Sequence, residues 1–225
     1  MKLAREGKIH GWTSFFALEQ TNGKGQRSKH WESGHGENII MTSVADCEAL
    51  LLSQSVQVSW IVSLACYDLL KKYGGDEFSI KWPNDIYWRD RKAGGILIEN
   101  IVSGNQWEKA IIGTGININQ TSFGDMPRKP VSLKQITGKT HDPIQLAMEL
   151  STSMLEKFHE LASYPQTHHL AQYNEALYKR TQQVRFKKGN QVFEAQVLGV
   201  APNGNLLIHH GIEHELTFGS VEWLD

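Results

Sequence analysis

Between Ser55 and Tyr73 the segment SVQVSWIVSLACYDLLKKY is apolar around most of its circumference and stops at Gly74-Gly75. That pattern predicts a largely buried helix closed by glycine. Further along, Ile144, Ala147, Met148, Met154, Leu155, Phe158 and Leu161 recur near helical spacing behind an Asp142-Pro143 start. A capped amphipathic helix lying on a sheet is expected there. MKLAREGKI reads as the end of a helix stopped at Gly7, and a shorter helical pattern runs from Pro165 to about Tyr178. The runs TSFFALEQ, ENIIMT, FSIKWPNDIYW, KAGGILIEN and WEKAIIGTGININ have strand character, with a hairpin across RDR between the third and fourth.

The character changes after Tyr178. VRFKKGNQVFEAQVLGVAPNGNLLIHHGIEHELTFGSVEWL alternates in short runs broken by KKGN, PNGN and HHG, which predicts a small β-barrel-like module over 179–225 following a larger unit over 1–178. Strands and helices mixed without strict β-α alternation point to an α+β fold, a mixed and mostly antiparallel sheet packed with helices.

A formal net charge of −1 over 225 residues supplies no general field for polyanions. Any phosphate must therefore be held by a local pocket, and DNA is not an expected partner. No apolar run reaches membrane-spanning length and the opening residues lack the hydrophobic centre of a secretory signal, so a cytoplasmic protein without membrane contact is expected. Cys47 and Cys66 lack redox or metal spacing and read as buried thiols. The histidines do not fall at metal-ligand spacing, and adjacent pairs such as His168-His169 point in different directions, so no zinc site is expected.

Candidate chemistry lies in four places. TNGKGQRSKHW combines Gly23 and Gly25 with Lys24, Arg27 and Lys29, but it fits neither a P-loop nor G-x-G-x-x-G; the residues alone favour a solvated loop over an anion cradle. In KWPNDIYW, Pro83 breaks a β-rich run and leaves Asn84 and Asp85 at a defined turn, either structural or aimed at a ligand or Mg²⁺. Lys92 precedes Ala93-Gly94-Gly95 at the entry to an apolar strand, suited to a carboxylate or phosphate, although the residues alone favour the commoner exposed edge lysine. In GTGININ, Gly113 and Gly115 permit close approach of a ligand and leave Asn117 as a polar reader.

Taken in order, QTNGKGQRSKHW, KWPNDIYW, RKAGGILIE and IGTGININ closely resemble biotin protein ligases, along essentially the whole chain and including SLKQITGK at 132–139. The resemblance implies a class II synthetase-like catalytic domain with an SH3-like C-terminal domain. It implies a two-step reaction: ATP activates biotin to biotinyl-5′-AMP, then the biotinyl group passes to one lysine of a biotin carboxyl carrier protein, with Mg²⁺ accompanying ATP. It leaves a homodimer open. By position, Gln20, Thr21, Gly23, Gly94, Gly95, Gly113 and Gly115 would meet biotin, and Lys92 would contact the biotin carboxyl and phosphate oxygens. Lys24, Gly25, Gln26, Arg27, Lys29 and Trp31 would fold over the adenylate, with Arg27 and Lys92 the catalytic charges. Lys81, Asn84 and Asp85 would face the nucleotide or its Mg²⁺, Asn117 would line the nucleotide, and Ser132 and Leu133 would lie near adenine.

Two departures stand out. Gln26 occupies a position where relatives often carry arginine, which passes the charge to Arg27. The family's Ser-Thr-Asn motif belongs upstream of the first helix, and the chain is expected to begin after it, as a short form without a helix-turn-helix domain or repressor activity. A lipoate or octanoate ligase and a catalytically weakened binding homologue are the competing expectations.

Overall fold

A computed structural model describes residues 2–21, 23, 25, 31, 33–124 and 130–224. Six strands form the central sheet: β1 (Thr13–Phe16), β2 (Ile39–Asp46), β3 (Phe78–Lys81), β4 (Asp85–Trp88), β5 (Arg91–Ser103) and β6 (Gln106–Ile116). Their order is β1-β2-β6-β5-β4-β3, and every neighbouring pair is antiparallel. The run FSIKWPNDIYW, expected as one arm of a hairpin, is itself a hairpin. Pro83 has no N–H to give to a ladder, and the chain turns there between β3 and β4.

Period-two alternation sorts each central strand between two faces. Ile39, Met41 and Ala45 of β2 join the main core, whereas Val44 packs with Ala4 and Ile111 on the opposite face, beneath the short helix α1 (Lys2–Arg5). The main core is covered by α2 (Ser55–Gly74), which buries Val58, Ile61, Val62, Ala65, Cys66 and Leu69. The helix ends as predicted, at Gly75 with φ of 90°. A second helix, numbered below, lies on the same face and begins at Asp142, whose Oδ1 accepts the backbone N–H groups of Ile144 and Gln145. Two members of its apolar stripe, Ile144 and Met148, are nevertheless exposed. Cys47 and Cys66 are buried and unpaired, and burial pushes the Cys47 thiol up to about 12.

After β6 the chain forms a one-turn helix, α3 (Leu133–Thr137), then α4 (Pro143–Glu160) and α5 (Gln166–Glu175). The last stops three residues short of the expected Tyr178, because Leu177 leaves it to form an isolated parallel bridge with Ile80 of β3. Beyond it, β7 (Gln183–Lys188), β8 (Gln191–Val200), β9 (Leu206–His210), β10 (Ile212–Leu216) and β11 (Glu222–Trp223) form a second antiparallel sheet in the order β10-β9-β8-β7-β11. This small second sheet is the expected C-terminal β module, and its ladder runs from β10 to β11 among the described residues. No described helix is long and apolar enough to cross a membrane.

Candidate active site

The site is built on one face of the sheet where β4, β5 and β6 run side by side. Asp85 opens β4 directly across from Gly95, and Gly95 in turn faces Gly115 of β6. Gly113 and Gly115 are two residues apart, so both belong to the same face. Between Ile86 and Tyr87 the register to β5 shifts by a bulge, which re-aims the strand where Lys92 sits. Lys92 Nζ donates to Asp85 Oδ1 at 2.6 Å. A Cβ on Gly95 would lie 3.1 Å from that Nζ and 3.3 Å from the Asp85 oxygen, so glycine leaves the ion pair its space.

Trp31 covers the neighbouring glycine. A Cβ on Gly115 would come within 2.6 Å of its ring, and Lys92 Nζ is 5.9 Å from the ring centroid. The backbone N–H of Trp31 donates to Gly23 O at 3.1 Å, which ties the two ends of the loop together. Gln20 Oε1 lies beside Gly23, and Thr21 is exposed next to it. Trp31 Nε1 is buried and has no hydrogen-bond partner among the described residues. The result is a glycine floor, an indole over it, and an ammonium at one end. Such a surface admits an apolar body bearing a terminal anion.

Other expected residues support this frame. Asn117 donates its backbone N–H to Ala93 O at 2.8 Å and its side-chain amide to Val131 O at 3.2 Å, while Val131 N–H donates to Lys92 O at 2.9 Å. Ser132 is fully buried as the cap of α3, its Oγ accepting from Gln135 N–H and its own N–H donating to Gln135 Oε1. Asn84 is buried with its amide donated to Ile96 O. Lys81 stands directly across from Asp85 in the β3–β4 pair, and its Nζ lies 4.6 Å from the Tyr87 ring centroid, 5.4 Å from that of Tyr178 and 5.3 Å from that of Trp223. Gly25 is half-buried, and Lys24, Gln26, Arg27 and Lys29 lie outside the described residues.

The Asp85 carboxylate is engaged by Lys92, and no cluster of three His, Cys, Asp or Glu side chains among the described residues could hold a metal ion. A single carboxylate cannot make an all-protein Mg²⁺ cage, so Mg²⁺ at Asp85 would have to take its remaining ligands from substrate phosphates and water. Sequence reasoning missed Trp82 and Tyr173. Tyr173 is fully buried and its hydroxyl donates to Pro83 O at 2.9 Å, a contact spanning 90 residues that no local pattern announces.

Residues 5–117 match the model of the biotin/lipoate A/B protein ligase family. The bifunctional ligase/repressor BirA of Escherichia coli is 31% identical over 116 residues, covering 52% of this chain and 36% of that protein. The biotin–[acetyl-CoA-carboxylase] ligase of Paracoccus denitrificans is 33% identical over 151 residues, covering 64% and 60%. The fold matches that of a biotin protein ligase from Aquifex aeolicus in complex with biotin and ATP, with a TM-score of 0.81 at 22% identity over 96% of this chain and 90% of that one. The chain spans 36% of the Escherichia coli relative, 60% of the Paracoccus denitrificans relative and 61% of a BirA from Bacillus spizizenii, 26% identical over 200 residues.

Proposed function

The chain belongs to the biotin/lipoate A/B protein ligase family, and from that membership we propose that it is a biotin–protein ligase. A carboxylate oxygen of biotin attacks the α-phosphorus of ATP, and pyrophosphate leaves with the bonding pair. The neutral amine of an acceptor lysine then attacks the acyl carbon of biotinyl-5′-AMP, AMP departs, and the amine loses its proton. The observation that carries this reading is Lys92 held at 2.6 Å by Asp85 beside the Gly95 and Gly115 floor and the Trp31 indole.

The first step brings two anions together, so the main demands are positioning and fixed positive charge. Lys92 supplies that charge as a compact ammonium aimed by Asp85. When a biotin carboxylate and the α-phosphate arrive, their oxygens compete with Asp85 for its three donors. The glycine floor lets the substrate tail lie against backbone, and Trp31 excludes water from above it. Gly23, Gln20 and Thr21 extend the same surface toward the ureido end of biotin. Mg²⁺ enters as Mg-ATP, part of the substrate. The relatives' names include a biotin–[acetyl-CoA-carboxylase] ligase, which makes a biotin carboxyl carrier domain the acceptor to use.

Purified protein with biotin and Mg-ATP should release pyrophosphate, and adding a carrier domain should label one acceptor lysine. A lipoate ligase would instead give pyrophosphate with lipoate and little with biotin. A binding homologue would take up biotin without releasing pyrophosphate.

A further inference from the structure

Trp82 sits in the turn between β3 and β4 and has no part in the chemistry above. It is 4% exposed, and its indole N–H donates to Gly204 O at 2.9 Å, in the PNGN turn between β8 and β9. Gly204 has φ of +86°, a left-handed conformation that disfavours a side chain, and any Cβ there would strike Val56 of α2. The turn is braced on several sides. Gly204 N–H donates to Ala201 O at 2.8 Å, Gln166 of α5 donates to Pro202 O at 2.7 Å, and the amides of Asn203 and Asn205 both donate to Glu215 at 2.8 Å. A connection serving only to reverse β8 into β9 would not need such rigidity or a close seat on α2.

From Trp82 the anchoring continues residue by residue. Pro83 O accepts from Tyr173, the Asn84 amide donates to Ile96 O, and Asp85 holds Lys92. Four consecutive residues are thus each fixed to a different partner, and these four residues link the second sheet to the Lys92 ammonium. We propose that Trp82 is a positioning residue whose hydrogen bond to Gly204 transmits the placement of the second sheet to Asp85 and Lys92. The kinetic part of its test rests on the biotin-ligase reading; the structural part does not.

Trp82→Phe keeps an apolar ring and removes the indole donor. Backbone amide exchange over residues 85–95 should accelerate about tenfold or more while the amides of α4 keep their wild-type rates. Pyrophosphate release should lose about tenfold in kcat, with the KM for biotin within about twofold of wild type. Gly204→Ala, remote from the chemistry, should produce the same split, and the double variant should be no worse than the weaker single one, as expected of residues on one path. Unchanged exchange over 85–95, equal acceleration in α4, or simple addition of the two variants' effects overturns the proposal. A wild-type protein that releases no pyrophosphate would sink the functional reading while leaving the exchange measurement to decide this one.

Discussion

Lys92 and Asp85 meet at 2.6 Å directly over Gly95, where even a methyl group would press on both. Their side chains are 35% and 27% exposed, so the pair faces solvent and is open to an incoming anion. An ion pair left partly open to solvent in this way contributes only about 1 kcal/mol to folding. Its geometry therefore matters more for what it binds than for holding the fold.

Lys92→Ala should consequently leave the thermal midpoint close to wild type and slow adenylate formation by about 100- to 1,000-fold, the usual cost of removing a charge donor at a reacting oxyanion. Lys92→Arg should recover little of it, because a planar guanidinium is a poor substitute for a compact ammonium in the space over Gly95. Pyrophosphate release paired with a thermal scan reads both quantities.

The two glycines of β6 should separate protein packing from ligand contact. A Cβ at Gly115 meets the Trp31 ring at 2.6 Å, whereas one at Gly113 meets nothing nearer than Leu97 O at 3.5 Å. Gly115→Ala should displace the indole and weaken biotin at least about tenfold. Gly113→Ala should fold normally, so any loss of biotin affinity measured by calorimetry comes from contact with biotin itself.

His169 gives the protein a pH-dependent element away from the site. Its ring is fully buried in α5, with Nδ1 lacking a hydrogen-bond partner among the described residues and Nε2 3.5 Å from Glu160. Burial holds its pKa below 6.5, an effect that the contact with Glu160 only partly offsets. The unfolded chain then takes up the proton more readily, so stability falls as pH drops below 6.5 and levels off under the lowered folded value. His169→Leu should flatten that slope in a series of urea titrations; an unchanged slope would assign it elsewhere, with His141, also lowered by burial, the next group to replace.

Asp46 acts further down the scale. Burial alone would raise its carboxyl, but donation from Lys109 and from the Gly11 N–H outweighs this and holds it below its ordinary value. The pair's contribution is present above the unfolded carboxylate pKa and is lost as pH falls through the lower, folded one. Asp46→Asn should cost about 1–2 kcal/mol at neutral pH, chiefly by stranding the buried Lys109 ammonium, and should remove part of the acid-side loss. Chemical denaturation at pH 7 and at pH 3 provides the comparison.

Elements set by local pattern were legible in advance. The glycine stop of α2 and the Asp142-Pro143 start of α4 follow from capping chemistry confined to a few residues. Contacts made across the chain were not. KWPND reads as a ligand-facing turn, yet Lys81 lies among Tyr87, Tyr178 and Trp223, and Asn84 is turned onto Ile96 O. Those partners lie on other strands or, for Tyr178, in the turn after α5, up to 142 positions away for Lys81 and Trp223, where no spacing rule reaches. Lys92 and the glycines came from a motif comparison; only the fold brought Trp31 down onto Gly115 and Asp85 onto Lys92.

The most direct test of the central claim is the mass of a biotin carboxyl carrier domain after incubation with this protein, biotin and Mg-ATP. The expected result is one added biotinyl group on a single lysine, dependent on ATP and lost with Lys92→Ala. An unmodified carrier and no pyrophosphate release, with a folded wild-type protein, would contradict it.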